Sequence, residues 1–239
     1  MANQNLFIPV TQDEKKDYQY EEAMKTLRTN IQFSGSGLKV IMLTSTMPDE
    51  GKSETSSQLA ISMAQTEGRV LFIDADIRKS VLVSRFGFGQ QIYGLTQYLT
   101  GQKLLGDILY HTNLPNLDII FSGPMAPNLA ELLGEDAFAR LVEWARNEYD
   151  TIIIDTPPLG SVIDAAIISQ RCDGAILVVE SGALSYRLVQ KAKNQLERTG
   201  CRILGAVLNR VDMAGSGYYH RYYGKYSKYS KYYENESDK

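Results

Sequence analysis

Six short apolar runs, largely β-branched, punctuate the chain at 40–43, 70–73, 117–121, 151–154, 175–179 and 203–208. Nearly unbroken by polar residues and too short for helices, they predict strands buried on both faces. Most of the intervening segments repeat apolar residues at a helical period, notably at 52–65, 128–133, 137–148 and 186–198. A further amphipathic helix is expected over 18–33, where Ala23, Met24, Leu27 and Ile31 recur between charged residues. Alternating strands and helices imply right-handed crossovers, so the pattern predicts an α/β domain with a mostly parallel sheet covered by helices on both faces. Ligands of such a sheet bind beyond the carboxyl ends of its strands.

The pattern ends near residue 212, and three parts are expected: a polar arm over 1–19, one folded domain over 20–212, and a flexible tail over 213–239. A small-residue hinge, Asp212-Met213-Ala214-Gly215-Ser216-Gly217, opens the tail. The next sixteen residues hold eight tyrosines, Tyr218, Tyr219, Tyr222, Tyr223, Tyr226, Tyr229, Tyr232 and Tyr233, separated by Lys, Ser, Gly, Arg and His. That segment has too little aliphatic surface to offset the entropy of ordering it. Taken alone, it reads as a solvated tail, as a strip that stacks on single-stranded nucleic acid, or as a substrate for modification.

Composition narrows these choices. At 239 residues and 44% hydrophobic, the chain suits one sizeable domain. A formal net charge of −3 lacks the broad basic field of a nucleic-acid binder, so no nucleic-acid partner is expected. The opening residues lack the charged start and apolar core of a signal peptide, and no apolar run approaches the roughly 20 residues of a membrane helix, so a cytoplasmic protein is expected. Cys172 and Cys201 lack a metal-binding spacing, and His111 and His220 form no ligand pair with them.

The chemistry begins directly after the first strand, in Ser45-Thr46-Met47-Pro48-Asp49-Glu50-Gly51-Lys52-Ser53, which runs into a helical pattern. Strand, loop and helix in this order are the context of a P-loop, although Thr46 stands where the general motif has its first Gly. Backbone amides from Asp49 to Ser53, with Glu50 and Gly51 between them, would wrap phosphates at the helix N-terminus. Lys52 would reach the β- and γ-phosphates and Ser53 would ligate Mg²⁺. Two later strands end in Asp74-Ala75-Asp76-Ile77-Arg78 and in Asp155-Thr156-Pro157-Pro158. A strand-end Asp can simply cap a helix or start a turn. Three of them beside a P-loop point instead to a P-loop NTPase-like fold, with Asp155 holding Mg²⁺ through water and Asp74 or Asp76 orienting the nucleophile.

Together with the tyrosine cluster and Val207-Leu208-Asn209-Arg210, these segments resemble the bacterial tyrosine kinases of capsular and exopolysaccharide synthesis, over about residues 20–233. The resemblance implies ATP-dependent autophosphorylation of tail tyrosines, usually on a neighbouring protomer. It casts Lys52 and Ser53 as phosphate and Mg²⁺ ligands, Asp74 as base, Asp76 and Asp155 as metal supports, and Asn209 as an adenine contact. Arg78 joins the nucleotide-binding set. The family's oligomerisation motif maps onto Glu22, Lys25 and Arg28, with Lys25 in place of an arginine, and implies a homo-oligomer, in the family a ring. The resemblance further implies a membrane-anchored activator, a polysaccharide co-polymerase, that recruits the chain to the inner face of the membrane, and an opposing tyrosine phosphatase.

Two departures lie in the P-loop itself. Asp49 replaces a customary Gly and Glu54 a small hydroxyl residue, so both carboxylates are expected to repel ATP unless they point outward or recruit cations. Two other readings therefore stay open: an ATPase switch of the partitioning or division-site type, and a degenerate nucleotide-binding scaffold.

Overall fold

The computed structural model describes residues 7–8, 18–66, 68–80, 82 and 92–211. In chain order its elements are β1 (Phe7–Ile8), α1 (Tyr18–Phe33), β2 (Val40–Ser45), α2 (Lys52–Ala64), β3 (Val70–Asp74), α3 (Leu95–Leu99), α4 (Leu105–Ile108), β4 (Leu109–Thr112), β5 (Leu117–Ile120), α5 (Leu129–Gly134), α6 (Asp136–Glu148), β6 (Thr151–Asp155), α7 (Asp164–Ser169), β7 (Gly174–Glu180), α8 (Tyr186–Glu197) and β8 (Ile203–Asn209).

The strands form one eight-stranded sheet in the order β1-β4-β5-β3-β6-β2-β7-β8. Every neighbouring pair runs parallel except β4 with β5. Period-two alternation splits the core between the two faces of the sheet. Val40, Met42, Leu71, Ile73, Ile152 and Ile154 meet Phe138, Leu141 and Val142 of α6 on one face. Ile41, Leu43, Phe72, Ile153 and Ile176 meet Leu59 of α2 and Ile31 of α1 on the other. A large apolar side chain buried this fully stabilises the fold by about 1.5–3 kcal/mol, so the layered sheet is a rigid base for its loops.

All six predicted strands and all five predicted helices are present. Three short helices, α3, α4 and α7, were not anticipated; at four to six residues each spans less than two turns and gives periodicity little to act on, although α5, equally short, was anticipated. Two strands also escaped: β1, two residues within the expected polar arm that pair with β4, and β4 itself, since Leu109-Tyr110-His111-Thr112 is too mixed to read as an apolar run; His111 Nδ1 meets Asp118 of β5 at 2.6 Å, beside the Tyr149 hydroxyl on the same carboxylate. One expectation needs correction. The run at 203–208 is not buried on both faces: β8 borders only β7, and Gly205, Ala206 and Leu208 are exposed. A continuous apolar run does not distinguish a central strand from an apolar edge. Among the described residues no helix is long and apolar enough to cross a membrane.

Asp173, just ahead of β7, ties three elements together. Its carboxylate accepts the amides of Lys39 and Val40 at 2.9 and 2.8 Å and a two-pronged contact from Arg146 of α6, both prongs at 2.8 Å. Burial alone would raise this carboxyl, but the hydrogen bonds from Arg146 and the two amides outweigh it and hold it below its usual value. Its contribution to stability is thus complete above the unfolded carboxyl value near 4 and is lost as pH falls through the lower folded value. Asp173→Ala should cost about 2–4 kcal/mol near neutral pH. Denaturant titrations of both proteins should show that gap closing as the solution is acidified below pH ~4.

Candidate active site

The register of three adjacent strands sets the site. Parallel pairing puts Asp74 of β3 and Leu43 of β2 directly beside Asp155 of β6, so both carboxylates reach the carboxyl edge of the sheet level with the exit of β2. From that exit, residues 46–51 loop into the N-terminus of α2, whose first amides have no partner within the helix.

The loop needs two left-handed residues, Asp49 (φ 67°) and Gly51 (φ 83°). At Gly51 a Cβ would lie 2.0 Å from Asn209 Nδ2, so only glycine fits. Glu50 turns inward, and its carboxylate is almost fully buried. It accepts the Met47 amide at 2.7 Å and the Glu180 amide of β7 at 3.1 Å, while its backbone carbonyl accepts Asn209 Nδ2 at 2.9 Å. The far side of the loop is held by the Thr-Pro-Pro turn after β6, where the Leu159 and Gly160 amides donate to Ser45 and Thr46 carbonyls. The buried Thr46 hydroxyl has no partner among the described residues.

Lys52, the first residue of α2, drops its ammonium among the strand-end carboxylates. Nζ lies 3.0 and 3.1 Å from the two Asp155 oxygens, 3.3 Å from Asp76 Oδ2 and 3.0 Å from Ser53 Oγ. Ser56 adds a hydrogen bond to Asp155 at 3.0 Å. Burial would depress the lysine, but the charges of Asp155 and Asp76 prevail and raise it, so the cation is held firmly. Asp74 is wholly buried beside these groups. Burial first, then the neighbouring Asp155 charge, push its carboxyl up to about 7, with the Ser80 hydroxyl that donates to it acting in the opposite direction.

A cation therefore already lies where Ser53, Asp76 and Asp155 converge, and those donors are hard oxygens of the kind Mg²⁺ takes. Among the described residues no group of three His, Cys, Asp or Glu side chains could hold a metal by itself. The set fits an ion that keeps waters and shares substrate phosphates, as Mg²⁺ does at phosphoryl-transfer sites.

The other expected site residues are placed as follows. Arg78 is engaged by Asp164 of α7 through Nε at 2.7 Å and a second nitrogen at 3.1 Å, and Asn209 forms part of the P-loop floor. Asp49 points outward to Lys79 at 3.6 Å, both side chains mostly exposed, and Glu54 is half-buried in the first turn of α2. The three residues of the expected oligomerisation motif on α1 diverge: Lys25 pairs with Glu22 at 2.7 Å, whereas Arg28 reaches inward to the Ser62 carbonyl of α2 at 2.5 Å. The eight tail tyrosines lie outside the described residues. Sequence reasoning put the Glu50 amide in the phosphate cradle but missed its side chain; the available signal was an unpaired acid beside Gly51-Lys52, which has to turn away from phosphates.

Fold and site define a P-loop nucleotide-binding domain. Residues 38–200 match the model of a family described as an AAA domain. The tyrosine-protein kinase CpsD of Streptococcus agalactiae is 46% identical over 204 residues, which cover 84% of this chain and 89% of that protein. The kinase domain of Escherichia coli tyrosine kinase ETK superposes with a TM-score of 0.76 at 33% identity, covering 89% of this chain and 93% of that one. The septum site-determining protein MinD of Pyrococcus horikoshii OT3, solved with Mg-ADP, shares the fold at a TM-score of 0.61 and 24% identity, over 72% of this chain and 70% of its own. The chain belongs to the bacterial tyrosine-protein kinases of capsule and exopolysaccharide synthesis.

If Glu50 braces the loop as its contacts imply, Glu50→Ala should weaken ATP binding about tenfold, the worth of one or two hydrogen bonds. Isothermal titration with MgATP checks it, with thermal melting to verify the fold.

Proposed function

We propose that this chain transfers the γ-phosphoryl group of ATP to its own C-terminal tyrosines, in trans between protomers, and thereby regulates capsular or exopolysaccharide synthesis and export. The observation that carries the reading is the meeting of Lys52, Asp155, Asp76 and the buried Asp74 at the mouth of a P-loop. The 46% identity to CpsD favours a kinase over an ATPase switch of the partitioning type, to which the likeness is one of fold.

In this reading ATP enters along the loop, with its phosphates on the amides of 49–53 and its adenine toward Asn209. Lys52 leaves Asp155 for the β- and γ-phosphates, so the acids that held an internal cation become free. Ser53, Asp76 and Asp155 would then hold Mg²⁺, which when bound neutralises charge on the phosphates. Asp74 accepts the proton of the attacking tyrosine hydroxyl. The new bond forms between the tyrosine oxygen and the γ-phosphorus as the bond to the bridging oxygen breaks and ADP departs. Arg78, fixed by Asp164, stands at the rim of the site. A homo-oligomer would present Glu22 and Lys25, while Arg28 holds α1 to α2. A membrane-anchored activator and an opposing phosphatase complete the cycle.

The test is to incubate the chain with labelled ATP and Mg²⁺, with and without a cytosolic activator fragment, and to compare the intact protein with one truncated after Gly217. Label should enter tyrosine in the intact chain only, and Lys52→Met should reduce it at least a hundredfold, in line with loss of a charged phosphate contact. Released phosphate without phosphotyrosine would identify an ATPase switch, and no turnover beside the activator a scaffold.

A further inference from the structure

Asp76 stands two residues beyond the end of β3, where the sheet no longer fixes the chain. The Ala75 amide still donates to the Asp155 carbonyl at 2.8 Å. Residues 76–80 then turn back on themselves: the Asp76 amide donates to Asp74 Oδ1 at 3.2 Å, the Lys79 amide to Asp76 Oδ1 at 3.3 Å, and the Ser80 hydroxyl to Asp74. The other Asp76 oxygen faces Lys52 Nζ at 3.3 Å. Of these two contacts to the Asp76 carboxylate, the first lies within the turn and the second is one that nucleotide binding would remove. Once Lys52 moves to the β- and γ-phosphates, the turn has to be held from elsewhere.

Two anchors of the turn do not involve Lys52. Ile77 is buried in the same core cluster as Ala165 and Ile168 of α7. Beside it, Arg78 grips Asp164, the first residue of α7, with Nε at 2.7 Å and Nη2 at 3.1 Å. Asp164 is 2% exposed and Arg78 37%, so the carboxylate is a fixed post that the guanidinium reaches from the rim. A two-pronged contact of this kind fixes direction as well as distance, which a lysine in place of Arg78 could not do. An acid at a helix start favours the helix dipole wherever its oxygens point. Here both oxygens face a residue of the acidic turn, which ties the start of α7 to the segment that carries Asp76.

We propose that Asp164 is a positioning residue of the Mg²⁺ site: acting through Arg78, it holds the 76–80 turn so that Asp76 keeps its place beside Ser53 and Asp155 after Lys52 has left. Arg78 then serves as framework of the site, in place of a direct contact with nucleotide. The inference rests on one part of the proposed function, the role of Asp76 toward Mg²⁺, and adds the residues that make that role independent of Lys52.

Isothermal titration of the full chain with ATP, first without Mg²⁺ and then over a series of Mg²⁺ concentrations, tests this without need of turnover. It yields the metal-free affinity and the Mg²⁺ concentration that half-saturates the gain in affinity. Asp164→Asn keeps the size of the side chain and removes its charge. That variant should need about tenfold more Mg²⁺, the lower end for one charge-assisted hydrogen bond, with the metal-free affinity unchanged. Arg78→Lys keeps the charge and loses the fork, and should raise the Mg²⁺ requirement by a similar factor. Combining the two substitutions should add little, because the residues act as one unit. Thermal melting of each variant verifies the fold. An unchanged Mg²⁺ requirement in Asp164→Asn overturns the proposal. So does an equal loss of ATP affinity with and without metal, which marks a merely structural role, and so does a double variant in which the two effects multiply. In those three cases the Mg²⁺ role of Asp76 stands. A wild-type chain whose ATP affinity does not respond to Mg²⁺ overturns that role and the inference together.

Discussion

The ion cluster of Lys52 with Asp155 and Asp76 is the constraint around which the rest of the site is arranged. Three charges with side chains this buried are tolerable only because they compensate one another; any one left alone would be costly to bury. The cluster in turn fixes where α2 begins and how far β3 and β6 project. Asp155 sits on the rigid part of the molecule, between β2 and β3 in strict register, and Lys52 and Asp76 reach it from the segments that leave those two strands. The same arrangement sets the order of events that nucleotide binding demands, because a second cation cannot join Asp155 while both its oxygens face the ammonium.

Around this cluster the P-loop is suspended from both sides. Glu50 and Asn209 hang it from the ends of β7 and β8, and the turn after β6 holds it through Ser45 and Thr46. None of these contacts would touch a phosphate. They define the shape into which a phosphate fits, and they cost nothing further when ligand arrives, because the loop is ordered beforehand.

Much of this was legible in the residues. Buried strands advertise themselves by continuous apolar runs, and strand-end aspartates next to a Gly-Lys-Ser turn point to one face of one sheet. Among elements shorter than two turns periodicity found α5 but not α3, α4 or α7, and the two-residue β1 and the mixed-polarity β4 gave it no apolar run to read. The edge position of β8 depends on strand order, which the local sequence does not encode. Side-chain direction was equally hidden: Glu50 and Asp49 are neighbours of one chemical type, yet one is buried and the other exposed, because the left-handed turn at Asp49 sends successive side chains to opposite sides of the loop. Arg28 and Lys25, three apart on one helix, likewise find partners in different directions.

Asn209 occupies an unusual place in this arrangement. Its side chain is a strut of the nucleotide loop, and its backbone ends the last strand only a few residues ahead of the hinge that leads into the tyrosines. The end of the last strand and the nucleotide loop are therefore one joint: a shift of β8 at its final residue would carry the loop with it.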